Sequence, residues 1–388
     1  MRIDLRILDR IAPLAFLAYV AVITGYAWLT PHYNWDMIAY IACALEASEP
    51  EPAALHAKTF ETVRNAVPPA RYEALTNGPY YGATAHDPES FYQQLPRYRV
   101  KPLYIWLMRA LGATGLSLVT ATRVISVAGA GVLAFLTYTW LALHFRPSAS
   151  AVLGALILNT SGLLILTKVS TPDGLSALIT LLGLFLLVEK QRPALALFVL
   201  GAAILARYEN LILVGMVGLY LIGIRGRRNP RAAVGYLAAL ASFAVVYLII
   251  ARTAGKCPWA TLFVHAFVGP IDRPAEFTGG VSLGVYVPAL LRGFRDLLEP
   301  QPSFILFAGW MAYVSGAHMF PEEPLRRHVL VLLLAVTAIR MLLFPFLLAR
   351  YLFPFYVTAG VSLAITSSAL RSSALRRDGL TARDRGKP

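Results

Sequence analysis

The chain has 388 residues, 57% of them hydrophobic and only 14% charged, and its formal net charge is +14. A soluble domain carries about 25% charged residues, so this composition excludes a disordered or acidic scaffold and argues against a water-soluble enzyme. The positive charge has two readings, a nucleic-acid footprint or membrane topology, and the placement of the basic residues separates them.

In chain order, the first apolar run covers 11–30. It is long enough to cross a bilayer. It exceeds the core of a signal peptide and lacks a small-x-small cleavage site, so it reads as an uncleaved anchor. A polar stretch, 31–101, follows and carries eight of the 21 acidic residues. Apolar runs then recur at 117–144, 151–167, 172–188, 194–206, 211–224, 232–251, 303–319, 328–348 and 351–370. The two short runs flanking ARYEN read as one hairpin of half-length helices. The expected fold class is an all-α polytopic membrane protein with about ten transmembrane or re-entrant helices. Segments 102–112 and 281–298 are amphipathic and basic, as suits helices lying in the membrane interface within two outer loops.

This scheme divides the chain into an anchor (1–30), an outer loop (31–116), a helix bundle (117–252), a second outer loop (253–302), C-terminal spans (303–370) and a basic tail (371–388). The side that carries both termini holds 18 basic and seven acidic residues, and all the rest holds 17 and 14. By the positive-inside rule the termini face the cytoplasm. The charge is dispersed over short loops, so a nucleic-acid partner is not expected. Cys43 and Cys257 both fall on the outer side, where a disulfide is sterically possible and two unpaired thiols are the default expectation.

Charged residues at membrane depth are costly, about 2.5–3.5 kcal/mol each at a helix centre, so those near the outer ends of spans are the informative ones. Asp36, in HYNWDMIAY, is either a helix cap or a general base where lipid meets water. Helical spacing would place His32 and Tyr40 on its face. His32 and Asp36 have metal-ligand spacing but no third ligand in sequence, so no metal and no cofactor is expected, and a divalent cation lacks a ligand set. Lys168 and Asp173 bracket an outer turn, in which Pro172 and Asp173 also form a helix start. Arg207 and Glu209, in ARYENL, are an ion pair or the lining of a polar cavity. Arg97, Arg99 and Lys101 alternate, and on an extended strand all three would point one way to a lipid phosphate or an anionic headgroup. Arg350 opens the last run, and Arg340, near mid-membrane in the run before it, must face protein or a water-filled cavity.

Asp36 after the first span, then TATRVISVAGAGVLAFLTYTWLALHF, TPDGLSALITLLGLFLLVEK, ILARYENLIL and ARYLFPFY, in that order over about 11–370, resemble the GT-C superfamily. Those polytopic glycosyltransferases include the protein O-mannosyltransferases and the aminoarabinose transferases. The resemblance implies transfer of a sugar from a polyprenyl-phosphate-linked donor to a glycan, lipid or protein acceptor on the outer face of a bacterial inner membrane. It implies an inverting reaction with Asp36 as general base. Lys168, Arg350, Arg207, Arg97, Arg99 and Lys101 would stabilise the donor phosphate, with Lys168 and Arg350 foremost. Asp173, Glu209, His32 and Tyr40 would contact substrate. Membrane lipid is the further expected partner. The chain lacks a DxD and ends without a large soluble domain, which places acceptor recognition in the outer loops or a partner protein. Two other classes remain, a transporter or lipid flippase, and a non-catalytic subunit of an envelope-glycan assembly. No matching halves of the kind transporters show are visible.

Overall fold

A computed structural model describes residues 5–78, 82–227, 229–299, 301–316 and 324–384. Among them the regular structure is helical, apart from one isolated bridge. Helix α1 (Leu5–Leu29) has 25 residues, roughly 37 Å at the helical rise and more than a hydrocarbon core requires. The polar segment that follows is cut into short helices: α2 (Trp35–Leu45), α3 (Pro52–Ala66), α4 (Pro69–Thr76), α5 (Gly82–His86), α6 (Pro88–Gln94) and α7 (Pro96–Arg99). Proline opens four of these six, where its missing N–H costs nothing. Glu51 caps α3 by accepting from the Ala54 N–H at 2.7 Å, and Asp87 caps α6 through Glu89 N–H at 3.0 Å. Helix α2 is apolar on nearly all sides and is buried on nearly all sides. Around it Leu55, Phe60, Phe91, Leu95, Tyr104 and Met108 form a core separate from that of the bundle.

The bundle comprises α8 (Pro102–Ala113), α9 (Leu118–Ala142), α10 (Pro147–Ser161), α11 (Leu163–Lys168), α12 (Asp173–Val188), α13 (Pro193–Ala206), α14 (Asn210–Arg225) and α15 (Pro230–Ala254). After it come α16 (Trp259–Phe267) and α17 (Leu283–Leu298), then α18 (Pro302–Ser315), α19 (Pro324–Leu343) and α20 (Ala349–Asp384). Among the described residues three helices, α1, α9 and α15, are long and apolar enough to cross a membrane. The other apolar helices of the bundle are shorter, for identifiable reasons. The run 151–167 is not one helix, because Gly162 adopts φ +92° and ends α10 before α11 begins. The run 328–348 stops at Leu343, and a non-helical stretch separates α19 from α20. The end of the run 303–319 lies outside the described residues.

Helix α12 is central and packs on α9, α13 and α20. Small residues set the close approaches: a Cβ on Gly183 would lie 2.5 Å from Leu200, and one on Gly201 would run into the Phe243 ring. Such contacts replace the hydrophobic drive that lipid removes between helices. Exposed Leu14, Leu17 and Val22 on α1, with Val234, Leu237 and Ile249 on α15, give an apolar belt suited to acyl chains.

The two ends of the bundle differ. At the end away from α2–α7, the Glu189 carboxylate closes α12 by accepting from Trp140 Nε1 at 3.0 Å and Arg326 Nη2 at 3.2 Å, and it meets His144 Nε2 at 3.0 Å. It thus ties α9, α12 and α19 together. Glu189→Gln is expected to lower stability by about 1.5–3 kcal/mol, the worth of hydrogen bonds to a charged group. Thermal unfolding in detergent checks this, and an unchanged midpoint would show the knot to be dispensable.

Candidate functional site

At the other end of the bundle two chain connections meet helix α9. His32 N–H donates to the Lys168 carbonyl at 3.0 Å, and His32 pairs with Val169 as a parallel bridge. Ser126 Oγ donates to the Val169 carbonyl at 2.7 Å. A Cβ on Gly129 would stand 3.1 Å from the Gly174 backbone, so only small residues let α9 reach the start of α12. These contacts fix the 169–172 turn and with it Asp173, which occupies the first turn of α12 with Pro172 as its N-cap.

Asp173 is 3% exposed and carries most of the local organisation. Its carboxylate accepts from Thr171 Oγ1 at 2.9 Å, pairs with Arg350 Nε at 3.0 Å and receives Arg207 Nη1. Arg207 also donates to Glu209 at 3.1 Å and lies over the Tyr351 ring at 4.1 Å. The sequence left Arg207 and Glu209 either paired or lining a cavity; they are paired, and Arg207 alone of the two also lines a cleft. Asp173, Arg207, Arg340, Arg350 and Tyr351 line a narrow cleft with room for about one water molecule.

Asp36 lies in the first turn of α2, and the N-cap there is Asn34. Its carboxylate accepts from the Tyr98 hydroxyl at 2.8 Å. Tyr98 is held edge-on to Tyr40, which in turn packs on Tyr104, with centroids 5.1 and 5.0 Å apart. Lys101 is 8% exposed, donates to the Arg97 carbonyl at 3.2 Å and points over the Tyr40 and Tyr98 rings. Burial pulls its ammonium below the usual lysine range, while Glu209, Asp36 and Asp173 oppose that shift. These groups therefore share one electrostatic neighbourhood, in which Lys101, Arg207, Arg340 and Arg350 face Asp36, Asp173 and Glu209. The cations exceed the carboxylates by one.

Some sequence expectations fail here. His32 lies outside α2, in the bridge, so helical spacing does not align it with Asp36. Burial and the nearby Arg350 and Lys168 charges lower its pKa. Arg97, Arg99 and Lys101 are not on a strand, because Pro96 opens a helical turn that sends Arg99 away from Arg97 and Lys101, which both lie against the Tyr98 ring. Arg99 donates to Glu46 through Nε at 3.0 Å and covers Tyr92, away from Asp36. Arg97 lies against the Trp35 and Tyr98 rings. Lys168 sits over Tyr26, 5.3 Å from its centroid. The two thiols, Cys43 and Cys257, are both free. Among the described residues no three His, Cys, Asp or Glu side chains converge as metal ligands would.

Arg340 is the residue that sequence reasoning placed only loosely. It lines the cleft, and its side chain has no hydrogen bond or ion pair among the described residues. Its signal was an arginine inside an apolar run, which fixes the need for a polar surrounding but not its location.

Burial would raise the Glu209 carboxyl, but Arg207 and Lys101 outweigh it and hold the pKa down to about 2, against 4.5 unperturbed. A carboxylate whose folded pKa is depressed contributes stability above its unfolded value and loses it as pH falls toward the folded one. Glu209 is 26% exposed, so the contribution is on the order of 2–3 kcal/mol. Melting in detergent is expected to fall from pH 5 to pH 2 (roughly the window set by the two pKa values), and Glu209→Gln is expected to flatten that slope. An equally steep slope in the variant would assign the loss elsewhere.

No family of known proteins matches this chain, and neither does any curated protein or solved structure.

Proposed function

We propose that the chain is an integral-membrane glycosyltransferase of the GT-C type, which moves a sugar from a polyprenyl-phosphate-linked donor to an acceptor hydroxyl. The observation that supports this best is that Asp36 shares one end of an apolar bundle with the cationic side chains of Lys101, Arg207, Arg340 and Arg350. Asp36 is the general base: it takes the proton as the acceptor oxygen bonds to the anomeric carbon. The bond from that carbon to the phosphate oxygen breaks on the opposite face, so the configuration inverts. Polyprenyl phosphate leaves with one more negative charge, and the cleft arginines stabilise it. The acceptor is a glycan, lipid or protein, and no metal step is invoked. In this reading the reaction faces the periplasm, both termini are cytoplasmic, and the chain sits in a bacterial inner membrane.

Arg350 and Arg207 are engaged with Asp173, whereas Arg340 brings a charge without a carboxylate partner to the same cleft. Among the described residues Arg340 is therefore the arginine of the cleft free to take the phosphate. Arg340→Gln is expected to weaken donor binding by about 10–100-fold, the worth of a hydrogen bond to a charged group. The test uses the purified protein in nanodiscs with a panel of polyprenyl-phosphate sugars, and it reads bound donor and released polyprenyl phosphate. Absence of both binding and release across the panel would overturn the glycosyltransferase reading. Normal donor affinity in the variant would overturn only the role of Arg340.

A further inference from the structure

Helix α17 is amphipathic in an unusual arrangement, because its apolar stripe is not the side that packs. Ala289 and Gly293 are buried, and the seat is close: a Cβ on Gly293 would lie 2.5 Å from the Pro345 carbonyl oxygen. Tyr286 adds a hydrogen bond from its hydroxyl to the Leu342 carbonyl. On a neighbouring arc Leu283, Val287, Leu291, Phe294 and Leu298 fall within about 80° of one another at 100° per residue. All five are exposed, Leu283 by 79% and Leu291 by 64%. The stripe does not end with the helix, since Leu342, Leu343 and Phe346 beside its seat are also exposed. Trp259 lies at the same level, with its indole N–H donating to the Leu343 carbonyl at 2.8 Å. Arg295 and Arg292 come next around the helix, both exposed.

A continuous apolar surface of this size in water calls for a partner. We infer that the partner is the phospholipid leaflet: the stripe of α17 lies among the upper acyl segments, while Arg292 and Arg295 reach lipid phosphates. Three features favour lipid over a protein surface. The stripe continues onto the end of α19, a helix that packs on α14 of the bundle. The basic residues border the apolar arc rather than interrupt it, as a helix lying in the interface requires. Trp259 is the residue type enriched where acyl chains meet headgroups. The seat matters for the cleft, because α17 grips Leu342 and Pro345, which lie between Arg340 and Arg350. The inference does not depend on the proposed reaction.

Spin labels at L291C and D296C, each in a Cys257→Ser background of the full chain, test it in nanodiscs of phosphatidylcholine with phosphatidylglycerol. The 291 label is expected to collide with dissolved oxygen and be shielded from a water-soluble nickel chelate, and the 296 label to show the reverse. Equal access of the chelate to both sites would place α17 in water and overturn the inference. Shielding of the 291 label from both agents would mean that protein covers the stripe, which also overturns it. Arg292→Gln and Arg295→Gln should each lower the ratio of docked to undocked helix roughly fivefold. An unchanged ratio in both variants would overturn the phosphate contact.

Discussion

Asp173→Asn is expected to destabilise the protein by about 3–5 kcal/mol, the usual cost of breaking a buried charge pair from one side. The change keeps the side-chain shape and an acceptor for the Thr171 hydroxyl. It removes the negative charge that two guanidinium groups share. Arg207 keeps Glu209 at 3.1 Å, but Arg350 is left with only the Tyr351 hydroxyl at 3.5 Å, a weak contact. The loss then falls mainly on α20, whose first turn carries Arg350. Unfolding in detergent, followed by heat or by trapping, checks the magnitude. Arg350→Gln in the same background should recover more than about 1 kcal/mol of it, because residues in one ion-pair network are not additive. A loss below about 1 kcal/mol in the single variant would show that water reaches and screens the pair, as it does for surface bridges.

Asp36→Asn is expected to leave folding intact and to lower kcat by about 10²–10⁴-fold, the contribution of a positioned general base. Asparagine can still accept the Tyr98 hydroxyl bond, so the start of α2 keeps its support. Donor binding is expected to stay normal, since the phosphate is assigned to the arginines. That split between kcat and affinity separates Asp36 from Arg340, whose replacement acts on affinity. An Asp36→Asn protein that transfers sugar at the unaltered rate would remove the base assignment and leave Asp36 as a structural partner of Tyr98. Tyr98→Phe offers a further comparison: it removes a positioning contact without touching the carboxylate, so its effect on kcat should be the smaller.

Asp173, Arg207, Glu209 and Arg350 were each legible in the sequence as charges at the ends of apolar runs. Their spacing along the chain said nothing of who pairs with whom. Lys168 had the same sequence signal as Arg350, yet it lies over Tyr26 while Arg350 grips Asp173. Arg99 belonged to an alternating basic triplet and turned to Glu46, because Pro96 converted the expected strand into a helical turn. His32 kept four-residue spacing to Asp36 but fell in the connection before α2, where helical periodicity does not hold. The Gly162 break was hidden for a similar reason, since hydropathy runs unbroken through it while the backbone does not.

The amino-acid order alone determined the solvent of this protein. Its apolar runs, its low charge and its basic short loops are sums over windows of about 20 residues, and burial in lipid depends on just such sums. The prolines at helix starts are equally local, and so they too could be read directly. Which charges meet at the end of the bundle was decided only by tertiary packing. Asp173 and Arg350 come together because α12 packs on α20, and one residue of helical offset would turn either side chain about 100° away. The glycines Gly129 and Gly174 likewise set the packing of α12 on α9 by letting backbones approach, an effect with no signature in hydropathy.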